Sequence, residues 1–430
     1  MNGRTFLRYS GLLVLSLVAL TTFLSFVTQQ ATEPRMSTLI NNFHEQAYVS
    51  KKSNTEAKRV KPNILEVTNG TKPTKTSAII KSAPATTEVS GKTLKIVFGA
   101  TDLWHNVKWA DIFNFKNCKY QNCICSESSK FVGIEHADLV IFGRNEFTHD
   151  FPNVPWQIRQ KQYWFMMTDE SGWFPSHTWG ERFNNRFNGT MMYRRDATIY
   201  NPYGKTENLP MIINNTRRNF ASGKPKGAFA YVSNCYNGNY NRLGVMEELA
   251  KYIPVDIFSS ACEGDHVKPP PCPRGVAGSN VGCENEKHRE YRFFLSFENT
   301  LCLDYITEKF WDRLKSTSFF LPIAMGGLSI DDYTKVSPPN SFLHVYNFTS
   351  IQKLGEHLRY LMNNDDSYNQ YHEWRYKYSI NTDRNIPACQ VCELLHQQPD
   401  LPVVPKLADW RNNRTLCRNY DLKSQQTSAQ

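Results

Sequence analysis

The chain has 430 residues, enough for two domains with appendages, and its 13% aromatic content is that of a packed protein rather than a disordered one. A formal charge of +10 would ordinarily raise nucleic acid as a partner. Much of the excess, however, sits in Arg4, Arg8 and the unpatterned stretch Gln29–Lys92, so the folded part is only mildly basic and nucleic-acid binding is not expected.

No charge occurs from Tyr9 to Thr32, and Gly11–Val27 is almost wholly apolar. That is close to the roughly 20 residues a helix needs to cross a bilayer. Arg4 and Arg8 precede the run with nothing comparable after it, which places the N-terminus in the cytosol and the bulk of the chain beyond the membrane. The expected order is a cytosolic tail (1–8), a transmembrane signal anchor (9–28) and a flexible stem (29–92). A cleaved signal peptide fits less well, because the apolar region is long and no small-x-small site follows. The stem, rich in Thr, Ser, Lys, Asn and Pro, lacks a sustained apolar period. It holds Asn69, the first of five N-x-Ser/Thr sequons; the others begin at Asn188, Asn214, Asn347 and Asn413.

Folding is expected to begin at Leu94, where LKIVFGA suits a buried strand. Similar runs at Ala137–Gly143, Gln162–Thr168 and Thr198–Tyr203 predict a mainly parallel α/β domain over 93–220. A short polar piece, Ala221–Gly227, leads into a second α/β domain over 221–386. There a strand at Ala228–Ser233 runs into a polar loop, and Arg242 opens a helix with Met246, Leu249, Ala250 and Ile253 on its apolar face. Val255–Phe258 reads as the next strand, and Ser259–His288 as a cysteine-bearing excursion. Phe293–Phe297 then delivers Glu298 and Asn299, followed by Tyr305, Thr307, Glu308 and Lys309 at the mouth of a helix. A strand at Phe319–Met325 ends in Gly326 and Gly327, completing a βαβ unit. A strand over Phe342–Phe348, a helix over Ile351–Met362 and a polar, aromatic helical run to Tyr378 precede a tail, 387–430.

The eleven cysteines cluster in loop-like sequence, which points to disulfides in an oxidising compartment. For Cys389 and Cys392 a local or loop-stapling disulfide is expected rather than a metal site, since no second CxxC is present. The odd count leaves a thiol over, with Cys302 or Cys235 as candidates.

Candidate chemistry centres on Lys309. With Ile306, Phe310 and Leu314 as the buried stripe, Glu308 and Lys309 fall in the first turn, where a lysine opposes the helix dipole unless an anion is present. A pyrophosphate would supply that anion. Arg242 occupies the equivalent place at the preceding strand-to-helix junction, and two cations from adjacent crossovers can bracket one diphosphate. Asp331 and Asp332 read as a solvated turn, and no metal-binding Asp-x-Asp triplet is evident in the proposed sugar-binding loops.

FLSFENTLCLDYITEKFWDRL followed by PIAMGG resembles the signature of the α1,3-fucosyltransferases, glycosyltransferase family 10. The segments Trp164–Gly204 and Tyr231–Cys262 are similar to that family's acceptor-side and donor-side segments, and the resemblance runs from Leu94 to Cys392. It implies a GT-B fold of two Rossmann-like domains facing a cleft, GDP-fucose as donor and a GlcNAc-containing glycan as acceptor, with inversion at the fucose anomeric carbon. It also implies a Golgi type II membrane enzyme with a lumenal catalytic body, and no required cofactor, a divalent cation being at most a stimulant. By position, Arg242 and Lys309 would hold the diphosphate, and Asn299, Tyr305 and Glu308 would contact fucose, ribose or guanine. Glu170 would be the general base, with Asp169 as the competing carboxylate. Where the family often has Glu-Ser-Pro this chain has Glu170-Ser171-Gly172, a change expected to loosen the turn. Trp104, Trp109, Trp173 and Trp179 are candidates for acceptor-side loops. The alternative from another class is a catalytically silent, membrane-anchored glycan-binding protein on the same fold.

Overall fold

The structure is a computed structural model that describes residues 95–99, 108–127, 134–143, 162–173, 180–210, 218–235, 238–273, 280–383, 386–423 and 426–429. The expected tail, anchor and stem, together with Asn69, Asn214, Trp104 and Trp179, lie outside those residues. Among the described residues no helix is long and apolar enough to cross a membrane.

Two six-stranded sheets, parallel throughout, organise the chain. The first contains β1 (Lys95–Gly99), β2 (Cys123–Glu127), β3 (Leu139–Phe142), β4 (Tyr163–Thr168), β5 (Gly189–Met192) and β6 (Ile199–Tyr200), in the order β2-β1-β3-β4-β5-β6. After β7 (Lys205–Asn208), the second contains β8 (Lys226–Tyr231), β9 (Val255–Phe258), β10 (Val267–Lys268) and β11 (Tyr291–Phe297). It is completed, beyond β12 (Leu301–Cys302), by β13 (Leu321–Met325) and β14 (Leu343–His344), in the order β10-β9-β8-β11-β13-β14. That order is doubly wound, and it reverses between β8 and β11, where a crevice opens beyond the carboxyl ends of the strands. The sequence accounts for the parallel arrangement. LVIF in β3 and YRFFLSF in β11 are buried along their whole length, as strands covered on both faces must be.

Helix α1 (Arg242–Ala250) is capped by Asn241, whose side chain accepts from the amide of Gly244. Helix α2 (Glu308–Lys315) is capped by Thr307 and buries Phe310 and Leu314 beside the preceding Ile306, the expected stripe. Two predicted strands contract to two residues each. Thr198–Tyr203 contracts to β6 because Pro202 brings no amide to the ladder. Phe342–Phe348 contracts to β14 because the imidazole of His344 accepts from the amide of Tyr346 and folds Val345–Asn347 into a tight turn.

Helix α3 (Ile351–Met362) covers the second sheet as predicted. Beyond β15 (Tyr378–Asn381), which pairs with β7, the segment read as a tail returns to the first sheet. Helix α4 (Ile386–Gln397) places Ala388, Val391, Cys392 and Leu395 in one core with Val97, Leu139, Phe165 and Met191. Disulfides Cys118–Cys389 and Cys123–Cys392 fasten it there, closing loops of 271 and 269 residues. The CxxC is therefore two loop-stapling bonds to distant cysteines, and a boundary drawn in chain order at 387 does not follow the packing.

The remaining disulfides are Cys235–Cys262, Cys272–Cys283 and Cys302–Cys417. Neither Cys235 nor Cys302 is the odd thiol; Cys125 is the cysteine outside the five bonds. Cys302 is paired because β12 lies antiparallel to β16 (Cys417–Asp421) with these two residues in register, a partnership 115 residues apart that local sequence does not reveal. The hairpin partner of β16 is β17 (Gln426–Ala429).

Candidate active site

The crevice at the β8/β11 reversal is a cavity of 760 Å³. It collects Ser233 and Asn234 from beyond β8, Arg242 from α1, and Asn299 from beyond β11. Tyr305, Glu308 and Lys309 come from the mouth of α2, and Glu170 and Tyr203 from the first sheet. All six residues singled out as catalytic or donor-binding thus line one cavity, although Glu170 and Lys309 belong to different sheets. Asp169, the competing carboxylate, is not among the lining residues.

The mouth of α2 is built on Glu298, which the sequence placed in a turn without a role. Its side chain is fully buried and accepts from the Thr307 amide at 2.7 Å and the Thr307 hydroxyl at 2.7 Å. A carboxylate there satisfies an otherwise orphaned amide and complements the helix dipole. Burial pushes its pKa up, with Lys309 opposing. Lys309 Nζ lies 3.0 Å from Glu308, 3.5 Å from Glu298 and 3.0 Å from the Thr307 hydroxyl. The anion expected beside Lys309 is present in the protein itself, as two carboxylates. Burial works against the ammonium, but Glu308 and Glu298 outweigh it and its pKa rises. For Glu308 burial is likewise outweighed, chiefly by Lys309, and the pKa falls. Lysine and glutamate stand charged at the cavity wall without requiring a ligand to ionise them.

Arg242 is only 4% exposed. Its guanidinium donates to the carbonyls of Phe297 at 3.3 Å and Asn234 at 2.5 Å, which tie it to the ends of β11 and the β8 loop. Burial lowers its pKa, with Tyr240 and Glu298 among the groups opposing that. The result is a cation fixed in the floor between the two strands of the reversal. Asn299 contributes a buried Oδ1 that has no hydrogen-bond partner among the described residues, an acceptor suited to a hydroxyl donor.

Glu170 follows β4, and its carboxylate accepts from the Tyr305 hydroxyl at 3.0 Å. Tyr305 is 2% exposed, and burial drives its phenol well above the ordinary value, so it remains a donor. The Glu170 carbonyl accepts from Arg411 at 2.6 Å. Gly172 packs directly on the Arg411 side chain and carbonyl, where a Cβ would collide. The glycine expected to loosen this turn instead admits Arg411 against it. Thr300 adds a buried hydroxyl contact to Ser171 at 2.8 Å.

Farther in, sequence reasoning missed a second buried pair. Arg313 and Glu284 form an ion pair, each side chain at most 3% exposed, among Tyr231, Phe258 and Phe294. The arginine stacks 4.1 Å over Phe294. A signal existed for Arg313, because four residues after Lys309 puts it on the same helical face. None existed for Glu284, which comes from the loop read as an excursion. Asp332 also departs from expectation. Asp331 is exposed, but Asp332 is 3% exposed and accepts from the Leu328 amide at 2.7 Å, so the pair is not a solvated turn.

Cys123, Cys392 and His396 approach metal-ligand spacing, but the two sulfurs are bonded to each other and offer no thiolate. Trp109 is a core residue at 1% exposure, whereas Trp173 is half-buried under Arg414. Among the sequons, Asn347 and Asn413 are exposed. The Asn188 side chain accepts from the Trp164 amide at 3.0 Å and donates to the Leu401 carbonyl at 2.7 Å.

Comparison with known proteins places this geometry. Residues 100–204 match the fucosyltransferase N-terminal family, and residues 221–410 match the C-terminal family of glycosyltransferase family 10 (fucosyltransferase). A glycoprotein 3-alpha-L-fucosyltransferase A of Drosophila melanogaster is 30% identical, over 76% of this chain and 62% of its own length. An alpha-(1,3)-fucosyltransferase of Caenorhabditis elegans is 31% identical over 49% of this chain and 48% of its own. An alpha-(1,3)-fucosyltransferase 7 of Bos taurus is 32% identical over 64% and 74%. The chain therefore spans less than two thirds of the fly and worm relatives. A crystal structure of an alpha1,3-fucosyltransferase with GDP covers 73% of this chain and 93% of its own, at 16% identity and a TM-score of 0.44. With both halves of the family pattern matched in order, and the bovine relative covered over most of its length, the chain belongs to glycosyltransferase family 10, the fucosyltransferases.

Proposed function

We propose that this chain is an inverting α1,3-fucosyltransferase of GT-B architecture, moving L-fucose from GDP-β-L-fucose to the 3-hydroxyl of a GlcNAc residue in a glycan. The observation that carries the reading is the convergence of Glu170, from the first sheet, with Arg242, Asn299, Tyr305, Glu308 and Lys309 around one cavity. An inverting transfer needs a base for the incoming hydroxyl and positive charge for the departing nucleoside diphosphate, on opposite sides of the sugar. Glu170 supplies the base. Lys309, fixed by two carboxylates, and Arg242, fixed by two carbonyls, supply the charge. Preorganised cations stabilise developing negative charge without having to move. Asn299 and Glu308 offer acceptors to sugar hydroxyls, and Tyr305 acts on Glu170 rather than on the donor.

The domains are proposed as a first, acceptor-side body of β1–β6 closed by α4, and a second, donor-side body of β8–β14. The N-terminal 92 residues would serve as tail, anchor and stem, placing the catalytic body in the Golgi lumen, in keeping with five disulfides. The acceptor would be an antennal GlcNAc or the core GlcNAc of an N-glycan. Incubation of the full chain with GDP-fucose and a panel of both glycan types, read by mass spectrometry and linkage analysis, tests the reading. The expected product is one glycan class carrying α1,3-linked fucose with stoichiometric GDP. No fucosylated product from either class, despite GDP binding, would overturn it.

A further inference from the structure

Two contacts from one loop of the first sheet converge beside Tyr305. The loop between β5 and β6 carries Tyr193, whose ring packs edge-on to Tyr305 at 5.0 Å, and Arg195, which reaches the residue before it. Asp304 accepts from the Arg195 amide at 3.0 Å and from its Nε at 2.7 Å. The same guanidinium extends to Asp332 at 3.2 Å. Asp332 closes the circuit by accepting from the amides of Asp304 at 3.3 Å and Leu328 at 2.7 Å. One arginine of the first sheet is thus clasped by two carboxylates of the other side, Asp304 in a turn and Asp332 in the short helix Ile330–Thr334, both nearly buried. Two buried carboxylates this close repel unless a cation stands between them, so the clasp closes only when the Arg195 loop is docked.

The geometry points to Arg195 as a positioning residue. By clasping Asp304 and Asp332 across the two sheets, it sets where Tyr305 meets Glu170 and so aims the base at the acceptor hydroxyl. The inference rests on Glu170 being the base proposed above. Thr300, through its hydroxyl contact to Ser171, also ties this loop to the segment after β4, but the charged contact between the two sides at the residue next to Tyr305 is that of Arg195. The Cys302–Cys417 bond secures its main chain to the β16 hairpin, whereas the Arg195 and Tyr193 contacts tie it to the sheet that carries Glu170. Asp304 stands at φ 58°, a conformation that Asn also tolerates. Asp304→Asn therefore removes the charge without straining the backbone, and Arg195→Lys keeps the charge while losing the fork.

Both variants are to be made in the full chain, alone and combined with Tyr305→Phe. Misaiming a catalytic group costs turnover rather than binding, so kcat is expected to fall about tenfold with KM for GDP-fucose unchanged. In the Tyr305→Phe background, where the contact being aimed is already absent, either change should cost less than about twofold more, because residues acting through one contact are not additive. Hydrogen exchange of residues 169–173 should quicken in Arg195→Lys and in Tyr305→Phe alike. Equal losses with and without Tyr305, a parallel rise in KM, or unchanged exchange at 169–173 would each overturn the clasp as a positioning device. Should the native chain fail to transfer fucose, the proposed activity falls, and the exchange measurement still decides whether Arg195 holds the Glu170 loop.

Discussion

The two sheets share a parallel, α/β construction but secure their cleft residues over different distances along the chain. On the second sheet, Arg242 is held by the carbonyls of Asn234 and Phe297, and Lys309 by Glu298, Thr307 and its neighbour Glu308, all within 55 residues of the residue they fix. On the first sheet, the Glu170 amide donates locally to the Thr168 hydroxyl, but its carboxylate is held by Tyr305, 135 residues away, and its carbonyl by Arg411, 241 residues away. A charged pocket for a diphosphate can be made by strand ends and helix mouths that follow each other in sequence. Glu170, proposed as the base that faces it, takes its side-chain contact from the Tyr305 hydroxyl, outside its own sheet. Perturbing the first sheet should therefore misplace or loosen the proposed base and spare donor binding, while perturbing the α2 mouth should do the reverse.

The largest effect is expected from the staples of α4. In the chain-entropy account, a bond closing a loop of more than 100 residues contributes about 5 kcal/mol. Cys389→Ser combined with Cys392→Ser removes two bonds that close loops of 271 and 269 residues. Calorimetry should show a first transition at much lower temperature that GDP does not shift, and a second, GDP-shifted one near its native position. A single transition displaced as a whole would mean the two sheets unfold together and the contrast is wrong.

Lys309→Ala comes next. It removes a cation preorganised for the leaving group and leaves Glu298 buried without a counter-charge, so turnover should drop on the order of a thousandfold, with weaker GDP binding. Isothermal titration with GDP, beside the turnover assay, checks both. Glu170→Gln keeps the hydrogen bond from Tyr305 but abolishes basicity, and turnover should fall about a hundredfold while GDP affinity is unchanged. Equal loss of GDP affinity in the two variants would erase the distinction between the sides.

The same contrast explains what was legible beforehand. The strand, turn and helix of Phe293–Phe310 could be read because each signal sits within a few residues of the next: an apolar run, a polar turn, and a stripe at Ile306, Phe310 and Leu314. Cys302 and Cys235 were misjudged because a disulfide depends on which distant strands lie side by side. Gly172 was read as looseness because Arg411, the group that requires it, lies far along the chain. Asp332 looked solvated for the same reason, its cation Arg195 belonging to the other sheet. The α/β class follows from local periodicity and the cations Arg242 and Lys309 from their places at helix mouths, while Asn299, Tyr305 and Glu308 came with the family resemblance; whatever the first sheet borrows from the C-terminal segment is in neither.

The smallest effect concerns pH, and it separates the sheets once more. His344, at the end of β14, is fully buried, with its Nε2 3.3 Å from the Gly326 carbonyl and its Nδ1 accepting from the Tyr346 amide. Nε2 therefore carries the proton, and a second proton on Nδ1 would set two donors against each other. Burial lowers its pKa to about 4 from an ordinary 6.5, outweighing the Gly326 carbonyl. Below pH 6.5 the unfolded chain takes up a proton that the folded chain refuses until near pH 4, so the unfolded state binds more protons and stability falls as pH drops through that window. For this one group the loss by pH 5 is about 2 kcal/mol. His288, lowered to about 4 by burial, acts in the same sense, so the His344 share must be read by difference. Urea unfolding at pH 7 and pH 5, comparing the native chain with His344→Gln, isolates it. The variant should be less stable at pH 7 and lose about 2 kcal/mol less between the two pH values, in the GDP-shifted transition only. Since Gly326 also abuts Glu298, which anchors the mouth of α2, GDP affinity should fall with stability over the same pH range. A pH response confined to the first sheet's transition would place the sensitive histidine elsewhere.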